Sequence, residues 1–237
     1  MLISITGKLG SGKSTVCNLL KDRYGFEIYS TGAFQREVAR SMGITTLELN
    51  KRLREDPSLD YVIDDAVKKL SIERAQDKLI FDSRMAWHFA DKSFKIFLTI
   101  EPCEAARRVM LNQRGCEEFY ADEKEACDKL IERSQVEQAR FMQIYGVDYY
   151  DFNNFDLIVD TTSRTPDEII DIITKLRRIV FPGFHQRNSF RILCFQPILF
   201  CISFHGRNYN RRRSEYFRRL PAYPRPQYGR FRRRTGN

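Results

Sequence analysis

Eight residues near the start of the chain, Gly7-Lys8-Leu9-Gly10-Ser11-Gly12-Lys13-Ser14, follow the pattern G-x-x-x-x-G-K-[ST]. Glycines at this spacing let the backbone turn back on itself so that successive N–H groups point inward, and a helix starting just after adds its dipole to make an anion nest. Lys13 is then placed to reach the β- and γ-phosphates of a nucleoside triphosphate, and Ser14 to offer a hydroxyl to Mg²⁺, with Thr15 following on the same turn. The flanking sequence has the context that this chemistry demands. "LISIT" (Leu2 to Thr6) is a short β-rich run and "STVCNLL" (Ser14 to Leu20) has apolar residues at helical spacing, so the loop joins a strand to a helix. The expected ligands are a nucleoside triphosphate and Mg²⁺.

Two further stretches carry cations to where a second phosphate could sit. "YSTGAFQRE" (Tyr29 to Glu37) follows a strand candidate with a Ser30-Thr31-Gly32 turn and then a helix bearing Arg36. "IFDSRMAW" (Ile80 to Trp87) follows another, with Asp82 at the strand end and Arg84 just beyond it. Ligands of parallel sheets gather at the C-terminal strand ends, so Arg36 and Arg84 are sent to the same edge as Lys13, where two guanidiniums could grip a phosphate. For either arginine alone a surface salt bridge is the bland alternative. Asp82 fits a position that holds Mg²⁺ directly or through water; its alternative is the N-cap of "SRMAWHF".

"ARRVMLNQRG" (Ala106 to Gly115) and "IERSQVEQAR" (Ile131 to Arg140) are the other basic stretches of the body. Arg133 and Arg140 lie two turns apart on one helix face with Glu137 between them. Spacing alone fits two readings equally: mobile arginines that neutralise a transferring phosphoryl group, or a solvated face held by pairs with Glu137.

Positioning these residues requires a sheet. "LISIT", "FEIYS" (26–30), "KLIFDS" (78–83), "FKIFLTI" (94–100) and "FDLIVDT" (155–161) are five short apolar strand candidates separated by helical sequence, the signature of an α/β fold with a parallel sheet covered on both faces. Thr45 with Glu48 and Thr165 with Glu168 form capping boxes, the second strengthened by Pro166. Asp122 with Glu125, and Gly146 as a stop, bound a helix of roughly 23 residues. The helix from Pro166 turns Ile169, Ile170, Ile172, Ile173 and Leu176 toward the core, and the domain closes near Ile179.

Charge divides the chain of 237 residues in two. Residues 181–237 hold 13 arginines, no lysine and one acid, Glu215, whereas the preceding 180 residues are slightly acidic. The basic balance therefore belongs to the tail. Six cysteines lie far apart without metal or CxxC spacing, which fits a reduced cytoplasmic compartment. "ILCFQPILFCISF" is too short and too interrupted by Pro197 for a membrane span.

The motifs "GKLGSGKST", "STGAFQRE", "EDPSLDYVIDDAVKKL", "DSRMAWHF", "SFKIFLTI", "EAARRVMLNQR", "ERSQVEQAR", "RFMQIYGVDYYD" and "FDLIVDTT" together resemble the compact cytidylate kinases of archaeal type and their bacterial relatives, from Leu2 to about Leu176. The resemblance implies a P-loop kinase core with sheet order 2-3-1-4-5, a nucleoside monophosphate (NMP)-binding segment at about 32–72 and a helical lid at about 112–143. It implies phosphoryl transfer from Mg-ATP to CMP or dCMP. Carried over by position, it makes Arg36 and Arg84 ligands of the CMP phosphate, Arg133 and Arg140 lid arginines, and Arg108 a contact on the ATP side. Many relatives of the longer bacterial type carry Asp where this chain has Ser30, so a contact made there differs.

A cytosine pocket needs a hydrogen-bond acceptor, which Asp60, Asp64 or Asp65 could supply, with Asp64 chosen here; an exposed helix face is the alternative. Trp87 and His88 are expected to pack, as are Tyr145, Tyr149 and Tyr150 at the lid hinge. The arginine-rich tail, 181–237, is expected to be disordered, with RNA binding as the functional alternative. A kinase of another small acceptor is the remaining alternative, and a monomer the default state.

Overall fold

The structure is a computed structural model that describes residues 1–44, 49, 52, 58–111, 120–180, 190–195 and 198–203. Its strands are β1 (Leu2–Gly7), β2 (Glu27–Ser30), β3 (Leu79–Asp82), β4 (Phe94–Thr99), β5 (Leu157–Asp160), β6 (Phe190–Phe195) and β7 (Ile198–Ser203). Its helices are α1 (Lys13–Tyr24), α2 (Thr31–Ser41), α3 (Ser58–Glu73), α4 (Ala86–Phe89), α5 (Pro102–Leu111), α6 (Glu123–Tyr145) and α7 (Pro166–Val180). All five expected strands form, in the order β2-β3-β1-β4-β5 and all parallel.

Alternation along the strands assigns the two faces. Ile3 and Ile5, Ile80, Ile96 and Leu98, and Leu157 and Val159 pack with Val16, Cys17 and Leu20 of α1 and Ile169, Ile170 and Ile173 of α7. The intervening Leu2, Leu79 and Phe81 meet Val67 of α3, and Phe97 and Ile158 meet Trp87, Phe141 and Tyr149. Helices thus cover both faces, as period-two burial of apolar side chains requires.

The caps explain where the long helices stop and start. Asp122 accepts from the Glu125 N–H at 2.7 Å, and Gly146, in the left-handed region, returns its N–H to Met142, so α6 runs the expected 23 residues. Thr165 and Glu168 exchange bonds reciprocally around Pro166 at the start of α7. The expected box at Thr45 and Glu48 lies outside the described residues.

Two strands from the tail stretch are added beside the expected five. The tail stretch contributes β6, which pairs parallel with β5 in the register Leu157↔Ile192, and β7 beside it, extending the sheet to seven strands. The outer edge of β5 would otherwise present a row of unpaired N–H and C=O groups, and "FRILCF" and "ILFCIS" are β-rich apolar runs able to cover it. Composition averaged over an arginine-rich segment concealed them.

Phe97 is fully buried and touches four aromatic neighbours, Tyr149, Tyr150, Phe152 and Phe155. Phe97→Ala is expected to cost about 3–5 kcal/mol in denaturant unfolding, and a loss under about 1 kcal/mol would show that this face of the sheet is not a packed core.

Candidate active site

The register brings the chemical residues to one edge. Ser30 aligns with Asp82, Ile5 with Asp82, and Gly7 with Leu98, so β2, β3 and β1 all end beside the loop that leaves β1. β1 sits between β3 and β4, the point at which successive crossovers go to opposite sides and a crevice opens.

The loop begins with a backbone only glycine tolerates. Gly7 has φ +148° and lies so close to β4 that a Cβ there would fall 2.1 Å from the Leu98 carbonyl oxygen. Lys8 N–H donates to that same oxygen at 2.9 Å. Gly10, at φ +75°, presses against Ala105 of α5. The chain then enters α1 through Gly12, with no side-chain cap and no acid in the first turn. Uncapped N–H groups plus the helix dipole leave this end ready for an anion. Ser11 is fully buried with a hydroxyl that has no partner among the described residues, a further donor suited to a phosphate oxygen.

Two cations converge on one carbonyl. Gly7 O accepts from Lys13 Nζ at 3.1 Å, from Arg84 Nη1 at 2.8 Å and from the Tyr149 hydroxyl at 3.0 Å. Lys13 also donates to Lys8 O at 3.2 Å. Crowding by protein atoms, then the Arg84 charge, pull the Lys13 ammonium down to about 7, against the opposing pull of Asp82 and Glu137. Burial works against the Arg84 charge too, but Glu137, 3.4 Å away, and the phenols of Tyr149 and Tyr150 raise its pKa on balance.

Asp82 accepts from the Ser30 hydroxyl at 3.3 Å, and Ser30 in turn accepts from Ala33 N–H as the N-cap of α2. The alternative of Asp82 as a helix cap does not hold, because Met85 occupies that position of α4 and its N–H goes to Ser83. Ser14 and Thr15 stand at the open start of α1, and Arg36 is exposed on α2 with a guanidinium over Gly32. Arg108 is anchored at the end of β5, donating to Thr161 O and Thr162 O at 2.7 and 3.0 Å and to Glu104.

The two arginines of α6 go to different partners. Arg133 donates to Glu137 at 3.3 Å, whereas Arg140 crosses to Asp60 of α3 and keeps a buried Nε without a partner among the described residues. Beside that pair the Tyr145 hydroxyl donates to Asp64 at 2.6 Å. Burial raises the Asp64 carboxyl to about 6 despite the Tyr145 bond, with Asp60 and Asp65 adding to the rise. α6 is therefore docked on α3 through four polar side chains. Residues 112–119 of the expected lid lie outside the described residues.

The sequence profile of the cytidylate kinase-like family matches residues 2–163. The chain belongs to that family. Similar curated proteins include cytidylate kinases of Thermoplasma volcanium, 32% identical over 73% of this chain and 89% of theirs, and of Natronomonas pharaonis, 33% identical over 73% and 87%. A protein of Lacinutrix mariniflava named S-adenosylmethionine-dependent nucleotide dehydratase is 31% identical over 72% of this chain, which spans only 34% of that longer protein. Among solved structures, an uncharacterized protein from Eubacterium ventriosum superposes with a TM-score of 0.54 at 18% identity, covering 74% of this chain and 97% of that one, a likeness of fold. Family membership makes the chain a nucleoside monophosphate kinase.

In this cytidylate kinase-like domain three contacts were not foreseen from sequence: Tyr149 on Gly7, Tyr145 on Asp64, and Glu137 beneath Arg84. Aromatic residues after a helix-stopping glycine read as packing, and nothing in their spacing says where the hydroxyls land. No group of three or more His, Cys, Asp or Glu able to hold a metal occurs among the described residues. Among them, too, no helix is long and apolar enough to cross a membrane.

Lys13, its pKa pulled down to about 7 in the free protein, would be held fully charged by bound phosphates. Binding of Mg-ATP at about pH 8 is expected to take up a proton, seen as binding enthalpy that varies with the buffer's ionisation heat, with little uptake at about pH 6 where Lys13 is already charged. Uptake that does not change across this range would show that Lys13 is not the group being recharged.

Proposed function

We propose that this domain transfers the γ-phosphoryl group of Mg-ATP to CMP or dCMP. The observation that carries the reading is the meeting of Lys13, the cation of the glycine loop, and Arg84, the cation of the β3 end, on the single carbonyl of Gly7. Groups that would hold the donor triphosphate and the acceptor phosphate are thus already within one hydrogen bond of a shared atom, the proximity that a direct transfer needs.

The loop residues Gly7 to Thr15 would cradle the triphosphate, and Arg108 would lie on the nucleoside side of it. Arg36 and Arg84 would grip the acceptor phosphate, with Ser30 and Gly32 shaping its approach. An acceptor-phosphate oxygen attacks the γ-phosphorus in line, the bond to the β–γ bridging oxygen breaks, and ADP leaves with the electron pair. The acceptor phosphate is already anionic, so no general base is needed and charge neutralisation carries the reaction. Ser14 and Asp82 would hold Mg²⁺, which when bound neutralises charge on the β- and γ-oxygens. Arg133 and Arg140 would reach the moving group by exchanging Glu137 and Asp60 for phosphate oxygens. Asp64, with Tyr145 on one oxygen, has its other oxygen to accept from a cytosine amino group.

ADP release from Mg-ATP, with CMP, dCMP, UMP, AMP and GMP offered separately, tests the reading. Preference for CMP or dCMP is expected, with Lys13→Ala slowing turnover by roughly 100-fold or more. Arg84→Ala should raise the KM for CMP roughly tenfold or more while moving that for ATP far less; equal rises would mean that Arg84 does not serve the acceptor. The KM for CMP should climb as the pH falls through about 6 and lose that limb in Asp64→Asn. Preference for another monophosphate would reassign the base pocket and leave the transfer chemistry in place.

A further inference from the structure

We propose that Tyr149 is a positioning residue for the phosphate loop, fixing the Gly7 peptide from the far end of α6. The inference rests on the loop being the ATP site. Its phenol accepts from Gly7 N–H at 3.2 Å, donates to Gly7 O at 3.0 Å and lies 2.8 Å from the Thr6 hydroxyl, which itself donates to Arg84 O at 3.1 Å. One side chain, fully buried, therefore holds both polar groups of the residue at which the loop leaves β1.

The chain leading to Tyr149 is stitched down on the way. α6 ends at Gly146, and the Asp148 carboxylate accepts from Gln138 of α6 at 3.0 Å and from Tyr150 N–H at 2.9 Å. The Tyr149 ring then sits against Phe97, Phe141 and Tyr150, with centroids 5.7, 5.6 and 5.0 Å away. A ring so confined delivers its hydroxyl to one place.

The three donors to Gly7 O differ in what becomes of them. A carbonyl oxygen has two lone pairs, so Lys13, Arg84 and Tyr149 share it imperfectly. When phosphates draw Lys13 and Arg84 away, the uncharged phenol is the donor that stays. It then holds the carbonyl side of the Gly7–Lys8 peptide, whose Lys8 N–H is held by Leu98 O, and keeps the Gly7 N–H paired at the moment when the loop's N–H groups must face the triphosphate; φ +148° at a glycine leaves that residue with no side chain of its own to resist rotation. The same contact ties the end of the arginine-bearing helix to the loop.

Tyr149→Phe in the full chain keeps the ring and removes these bonds. It is expected to lower kcat tenfold or more and to weaken Mg-ATP binding measured by calorimetry, beyond any change in melting temperature. Trp87→Phe, a change in the same aromatic cluster without polar contact to the loop, is the control, expected to lower the melting temperature while leaving kcat within about twofold. If Tyr149→Phe loses stability but keeps wild-type kcat and ATP affinity, the phenol is merely structural and the proposal is overturned. If it does not fold, exchange of the Gly7 amide in wild-type protein decides: protection retained with ATP bound supports the proposal, and exchange at the rate of an open loop overturns it. Failure of the wild type to bind ATP at all would instead overturn the reading of the loop.

Discussion

The close approach of Gly7 to β4 is the constraint on which this site depends. No Cβ fits between Gly7 and Leu98, and only at that spacing can the Lys8 N–H reach the Leu98 carbonyl. The loop is thus launched from the middle of the sheet, where β1 is held on both sides, and not from a mobile edge. Fully buried Ile3 and Ile5 lock β1 against α1, so the turn between them has fixed ends. A nest of N–H groups binds anions well only when it is held open in advance, because otherwise binding must supply the ordering free energy.

Charge around the crevice is arranged as a set of shared partnerships. Lys13 and Arg84 rest on the Gly7 carbonyl, Arg84 and Arg133 share Glu137, and Arg140 is held by Asp60. Burial first, and then the neighbouring Arg84 charge, depress the ammonium of Lys13 toward neutrality. The carboxylates Glu137 and Asp60 hold these arginines in the free protein, and phosphate oxygens in the proposed site would compete for the same guanidiniums.

Much of this organisation could be read before any coordinates. The loop, the five parallel strands, the caps of α6 and α7 and the cations at the strand ends follow from local rules: glycine at positive φ, period-two burial, a carboxylate three residues into a helix. Those rules act over a few residues and leave their mark in short words such as "GKLGSGKST" and "SRTPDE". The strands β6 and β7 were hidden by the arginine-rich composition around them, because the reason for them is an open edge of β5, which no local rule records.

The amino-acid sequence by itself determined which residues carry charge, that five segments pair into a parallel sheet and that a glycine loop of the G-x-x-x-x-G-K-[ST] pattern joins the first strand to the first helix. Only the tertiary structure decided which partners those charges find. Arg133 and Arg140 are equivalent by spacing, yet one donates to Glu137 of the same helix and the other crosses to Asp60 of α3. Tyr149 is 142 positions from Gly7 in the chain and in hydrogen bond with it in the fold. A hydroxyl's partner depends on where a whole helix ends and how a ring is wedged among Phe97 and Phe141, and that is set by packing over the entire sheet face.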